Sequence, residues 1–261
     1  MDPTFSIFKP KLTEDEKTVL TTALDTLGSF DGLENFEWLS DLKGRLELEE
    51  HQPIISFSKN ILDNSTLIAR LFTSIKLKQV ISLEYHTFED SNVRIVEVCP
   101  YLLKEYNNRW FLIAAACDTG KILTFPLDRI DEFSISYIQK YISAPKDFDE
   151  YFEDIIGVTY NNDAPLEEVI FWVSDKSKDY VLTKPIHGSQ ILIRGSREVD
   201  LHAQYPKLLG GNYFRIKCRE NYELIRELIS FGPELIVVAP MHIVEKIEDR
   251  LKLMINYYLH E

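Results

Sequence analysis

Cysteine is scarce in this chain: three in 261 residues, odd in number, far apart in sequence and without a Cys-x-x-Cys pair. That excludes a disulfide framework and a cysteine-held zinc site, and reads Cys99, Cys117 and Cys218 as reduced, small apolar residues. Long apolar runs are missing too. No stretch approaches the roughly 20 apolar residues of a membrane span, and no basic, apolar, small-residue leader opens the chain. The expected location is cytoplasmic, with no membrane partner. Positive charge is in deficit, since 29 Lys and Arg against 42 Asp and Glu leave a formal net charge of -13. Such a surface argues against broad, sequence-blind nucleic-acid binding, which depends on counterion release by cationic side chains, but it allows a local basic groove. Catalytic signatures are absent as well: no Walker loop, no Gly-x-Ser-x-Gly elbow, no His-Glu-x-x-His. His187, before Gly188 and Ser189, reads as a turn residue whose ring bonds backbone. Acidic runs such as Asp147, Asp149 and Glu150 read as solvated faces. The chain is accordingly read as no enzyme, with no cofactor and no metal.

What is present is a soluble, globular composition, 45% hydrophobic and 27% charged, long enough for one to three cores. Thr13-Glu14-Asp15-Glu16 has capping-box spacing, and Val19, Leu20, Ala23, Leu24 and Leu27 mark one helical face that Gly28 can close. A second helix is expected from about Asn35, carrying Trp38, Leu39, Leu42 and Leu46, so that the two form a hairpin. Its first turn offers Phe36, Glu37, Trp38 and Asp41, which would bury apolar surface and repel phosphate rather than read bases. Pro53 to Phe57 could be a short strand. Asn64-Ser65-Thr66 reads as a helix cap before Leu67, Ile68, Leu71, Phe72 and Ile75.

From Val80 to Tyr137 the pattern is almost entirely β. Val80 to Tyr85, Tyr101 to Tyr106, Trp110 to Ala116 and Ile122 to Leu127 are apolar, strand-forming runs. Asn107-Asn108 supplies one hairpin turn and Asp118-Thr119-Gly120 the next. The last 120 residues mix types: strands at Val169–Val173, Gln190–Arg194, Tyr213–Cys218 and Leu235–Ala239, with helices over Asp175–Leu182 and Tyr222–Ser230. That order, β-α-β-β-α-β, points to a ferredoxin-like sandwich. A final helix after Pro240 places Ile243, Val244, Ile247, Leu251, Met254 and Tyr258 on one face.

The pairing of RWFLIAAA with FPLDRI, preceded by VCPYLLKEYNN, resembles the WYL domain of bacterial transcription regulators. Trp110-Phe111-Leu112 stands where the Trp-Tyr-Leu would stand, and Phe111 lacks the tyrosine hydroxyl. The PIHGSQ and ISFGPELIVVAP segments are similar to the extension that follows many such domains. The resemblance implies an α+β chain: a helical linker region over 1–63, a Sm-like or SH3-like β-barrel sensor over 64–140, and a ferredoxin-like extension over 141–261. It implies the effector-sensing and oligomerisation portion of a regulator, a homodimer, touching DNA only through a winged helix that these residues do not contain. The alternative is a stand-alone module that regulates a partner protein without binding DNA.

Candidate ligand-binding residues are Tyr85, His86, Arg94, Arg109 and Arg129. All lie at strand ends or turns, which converge on one rim in a small barrel, where guanidinium groups recognise phosphate or carboxylate and Tyr85 offers stacking. The expected ligand is an anionic effector, a nucleotide or a single-stranded nucleic acid. The competing reading pairs Arg129 with Asp128 or Asp131, and for Arg109, in the turn itself, a structural role is the stronger reading. Trp110 and Leu112 read as core. Arg215, Lys217 and Arg219 share a strand face, with Arg194 and Arg197 nearby. They read first as a wet face or an edge guard, and second as a nucleic-acid or subunit contact.

Overall fold

Two antiparallel sheets carry the described part of the chain, one in each of two units, Met1–Ser143 and Ala144–Glu261. The computed structural model describes residues 13–26, 42, 44, 65–87, 92–144, 147–161 and 163–259. Helix α1 (Glu14–Thr26) opens with the expected box. The Thr13 amide and hydroxyl donate to Glu16 Oε2 at 2.8 and 3.0 Å, and the Glu16 amide donates back to Thr13 Oγ1 at 3.3 Å. The second helix of the expected hairpin and the strand at Pro53 to Phe57 lie outside the described residues, apart from the isolated positions 42 and 44.

In the first unit, helix α2 (Ser65–Lys76) precedes five strands: β1 (Ile81–Tyr85), β2 (Arg94–Tyr106), β3 (Arg109–Ala116), β4 (Ile122–Pro126) and β5 (Ile130–Ile135). Their order in the sheet is β4-β3-β2-β1-β5. Asn107 and Asn108 both adopt positive φ (51° and 60°), the tight turn that asparagine tolerates. Strand β2 serves two partners. Its first residues pair with β1 and the rest with β3, and the register slips by one between Pro100 and Leu102. Proline has no N–H to give a ladder, so a bulge is where it belongs in a central strand, and the bulge bends the strand. Leu67, Ile68 and Leu71 of α2 close the core over Ile81, Leu83, Leu112, Ala114 and Phe133, with Trp110 partly buried against it. Phe72, expected on that face, is exposed instead. The sheet does not close into a barrel: β4 and β5 are its two edges, joined by a 3-10 turn over Leu127–Arg129.

In the second unit, a short helix α3 (Phe148–Phe152) leads to β6 (Leu166–Val173), α4 (Lys178–Thr183), β7 (Ile191–Leu192), α5 (Ser196–Gln204), β8 (Asn212–Arg219), α6 (Tyr222–Ser230), β9 (Leu235–Ala239) and α7 (Met241–Tyr258). The strand order is β7-β8-β6-β9, every pairing antiparallel. Asn221 caps α6, its Oδ1 accepting the Leu224 amide at 2.8 Å. Helix α5 and the short α3 were not expected, and the strand foreseen at Gln190–Arg194 shrinks to two residues. Only the first half of the α7 face is covered. Ile243, Val244 and Ile247 meet the core, whereas Leu251, Met254 and Tyr258 are exposed. The reason is length: an 18-residue helix runs roughly 27 Å, while the five residues of β9 span only about 17 Å.

Candidate anion-binding rim

Tyr85 ends β1, and its direct partners in the ladder are Arg94, which begins β2, and Ile130, which begins β5. Residues facing each other across an antiparallel pair share a face. Arg94 therefore lies on the core-lining face of the sheet, at its open end, beside Tyr85. The Tyr85 ring meets Phe125 edge-on at 5.2 Å and packs against the core. One residue on, the His86 amide donates to the Arg129 carbonyl at 3.1 Å, tying the end of β1 to the 3-10 turn. Within that turn Asp128 accepts from Arg109, Nη2 to Oδ2 3.2 Å, which brings the β2–β3 hairpin end to the same place. Contacts thus run from Arg94 through Tyr85, His86 and Arg129 to Asp128 and Arg109. All five expected residues stand along this one continuous stretch of backbone and side-chain contacts.

The electrostatics are mixed. Arg109 is bonded to Asp128, and Asp131 Oδ2 lies 3.2 Å from His86 Nδ1. Of the two carboxylates in the competing reading for Arg129, Asp128 bonds Arg109 and Asp131 bonds His86. Both pairs are open to solvent, with Arg109 and Asp128 side chains 44% and 40% exposed. Such pairs contribute about 0–1 kcal/mol each. The rim is anchored from beneath by Arg70 of α2. It donates to Glu132 Oε1 at 2.6 Å and to the Phe133 carbonyl at 2.8 Å, with its guanidinium 4.4 Å over the Phe133 ring. The Phe133 amide, with Arg70, holds the Glu132 carboxyl below its ordinary range. Arg70 went unnoticed in the sequence because nothing in a helix pattern shows which strand a helix will cover.

The second unit treats its arginines differently. Arg197 and Arg215 both grip Glu168, the latter at 3.0 Å, and hold its carboxyl below the usual range, with the Arg197 bond the larger cause. Arg219 donates to the Ala164 carbonyl at 2.7 Å and lies 5.4 Å over the Tyr160 ring. Of the stripe, only Lys217 is exposed. His187 behaves as a turn residue. Its Nδ1 accepts the Ser189 amide at 3.2 Å, and Ser189 Oγ is held by the Lys217 backbone at 2.7 and 3.1 Å. Burial pushes the His187 ring below its ordinary pKa. A cleft of about 600 Å³ beside Tyr160, Tyr222, Lys246 and Arg250 carries both signs of charge, with Lys246 already 2.5 Å from Glu220. Among the described residues no group of three or more His, Cys, Asp or Glu could hold a metal ion, and no helix is long and apolar enough to cross a membrane.

No curated protein matches the chain. Among solved structures, proteasome accessory factor B/C (PafBC) of Arthrobacter aurescens is similar at 16% identity and a TM-score of 0.31, over 71% of this chain and 26% of that one. A CRISPR Cas-related protein is similar at 14% identity and a TM-score of 0.44, over 76% and 52%. The chain spans only part of the length of either. Residues 66–135 match the family model of the WYL domain. All five rim residues fall within that span, and the sheet that positions them is a WYL domain.

Proposed function

We propose that this chain is the effector-sensing and oligomerisation portion of a bacterial transcription regulator. In this reading it binds a small anionic molecule or a short single-stranded nucleic acid at the rim of Tyr85, His86, Arg94, Arg109 and Arg129. The observation that carries the reading is the run of contacts linking these five residues inside the WYL domain. Guanidinium groups at strand ends offer planar donor pairs to phosphate or carboxylate, and a tyrosine at the same mouth suits a base or sugar. Binding would bias the arrangement of two subunits, by affinity that differs between two states. The role is regulatory rather than catalytic. The domain limits 64–140 and 141–261 belong to the same reading. So does a Sm-like ancestry for the open sheet, and so does a ferredoxin-like second unit, supported by the order β9-β6-β8-β7 with helices between its strands.

Titration of the chain with mononucleotides and short oligonucleotides tests it. A charge-assisted hydrogen bond contributes about 1.5–3 kcal/mol, so Arg94→Ala or Arg129→Ala should weaken binding by about ten- to a hundredfold. Equal binding by wild type and both variants would remove the site. The net charge of -13 favours one second reading, a module that regulates a protein partner without touching DNA. Failure to shift any promoter DNA, with a partner co-purifying, would select it.

A further inference from the structure

Cys99 in β2 and Cys117, one residue past the end of β3, hold their sulfur atoms 3.5 Å apart. Their spacing in the chain gave no sign of this, and the rim does not use them. The bulge creates the pair. Counting outward from Tyr106 opposite Arg109, an unbroken ladder would set Cys117 opposite Val98, on the other face from Cys99. The slip between Pro100 and Leu102 instead sets Cys99 opposite Ala115, and Cys117, two residues further, shares that face. Cys99 is buried, whereas Cys117 is partly exposed.

A strap runs over the pair. The Ile142 amide donates to Cys99 Sγ at 3.2 Å, and the Cys99 thiol points at the Lys140 carbonyl, 4.0 Å away. Tyr101 and Tyr141 fasten the strap from either side, donating to the carbonyls of Ile142 and Pro100 at 2.8 Å each. It is the last stretch of the first unit before the second begins at Ala144.

We propose that Cys99 and Cys117 form a reversible dithiol–disulfide couple, oxidised by a low-molecular-weight disulfide, whose state sets how firmly the strap is held. The couple is independent of anion binding at the rim. Cys117, the reachable thiol, releases its proton to solvent, and its thiolate attacks one sulfur of the reagent, displacing a small thiolate. Cys99 then loses its proton and attacks the Cys117 sulfur, displacing the second half of the reagent. Two protein S–H bonds and one reagent S–S bond break, and one protein S–S bond and two small thiols form. The protein gives up two electrons and the reagent takes them. The sulfurs must close from 3.5 Å to about 2.05 Å, a movement that side-chain rotation at the turn residue Cys117 can supply. Once bonded, Cys99 has no S–H to offer the Lys140 carbonyl, and the strap loses that tie.

The surroundings set the pace. Burial, then the bond to Cys99, pushes the Cys117 thiol up to about 12. Thiolate is therefore scarce at neutral pH, and a thiol of high pKa also leaves a disulfide slowly. Exchange is slow in both directions, so the couple behaves as a latch rather than a rapid sensor.

The test incubates the full chain with oxidised glutathione, blocks residual thiols, and maps the peptides by mass. Wild type and Cys218→Ser should yield a Cys99–Cys117 cross-linked peptide, and Cys99→Ala and Cys117→Ser should not. Hydrogen exchange at the Ile142 amide should rise severalfold in the oxidised wild type. A glutathione adduct that never resolves, or cross-links through Cys218 or between chains, would overturn the couple. Unchanged exchange over 140–142 in cross-linked protein would overturn its link to the strap.

Discussion

The two sheets use the same residue type to opposite ends. In the second unit, Arg215 sits inside β8 and is answered by Glu168 of β6, while Arg219, the last residue of that strand, is answered by Ala164 and Tyr160. In the first unit, Arg94, Arg109 and Arg129 sit where strands stop, and the carboxylates near them are exposed and bonded across turns. An arginine inside a sheet has a carboxylate or carbonyl on the next strand within reach. At the strand end that Arg109 opens, the side chain is nearly half exposed. Position along the strand is not enough to separate a structural arginine from one able to receive a ligand, since Arg219 also ends its strand; the difference is exposure, 44% for the Arg109 side chain against 23% for Arg219.

The comparison can be broken most sharply in the cores that hold each sheet in place. Leu112 is fully buried, and Leu112→Ala should cost about 2–5 kcal/mol. Hydrogen exchange should show the loss across β1 to β5, and equal loss across β6 to β9 would mean that the two units are not separate in stability. Next, Glu168→Gln removes the carboxylate from Arg197 and Arg215. Because the carboxylate is about one third exposed, the expected cost is about 1 kcal/mol, seen as a lower denaturation midpoint. Its folded pKa is lowered, so this stabilisation is present above the unfolded carboxyl value and fades as pH falls through the folded one. The variant should lack that part of the acid sensitivity. His187 works in the same direction through another cause. Its pKa is lowered by burial, so acidifying below the ordinary histidine range makes the unfolded chain bind the proton first. His187→Gln should flatten the stability profile from the ordinary histidine value down through the lower folded one. The smallest effect belongs to the rim. Asp128→Asn releases Arg109 from an exposed pair contributing about 0.2–1 kcal/mol, and should tighten anion binding by about two- to fivefold in the same titrations.

Much of this architecture was legible in the chain. The double asparagine announced its turn, the alternation around Trp110 and Leu112 announced a core strand, and Thr13 with Glu16 announced a helix start. Helix α6 and strand β9 appeared at their expected limits because Asn221 caps the one and continuous apolar residues fill the other. Helix α5 was missed because SREVDLHAQ buries only Leu201 and shows no stripe to find. The rim residues were nameable from strand ends alone. Their partners were not, since Asp128 and Asp131 flank Arg129 in sequence and only the fold brings Asp128 to Arg109 and Asp131 to His86. The cysteine pair was hidden for a different reason: strand parity predicts faces only while no residue is skipped.

That skipped residue is Tyr101, which the register of β2 against β3 passes over between Pro100 and Leu102. A pleated chain keeps strict count in twos, so one supernumerary position exchanges inside for outside for everything on its far side. Forcing Tyr101 into an unbroken ladder would turn Cys99 and Val98 about, presenting the thiol to the core and the valine to the strap, whereas excising it would leave every other pair as it stands. A single uncounted residue thus decides which half of β2 speaks to the interior and which to the segment leading out of the domain.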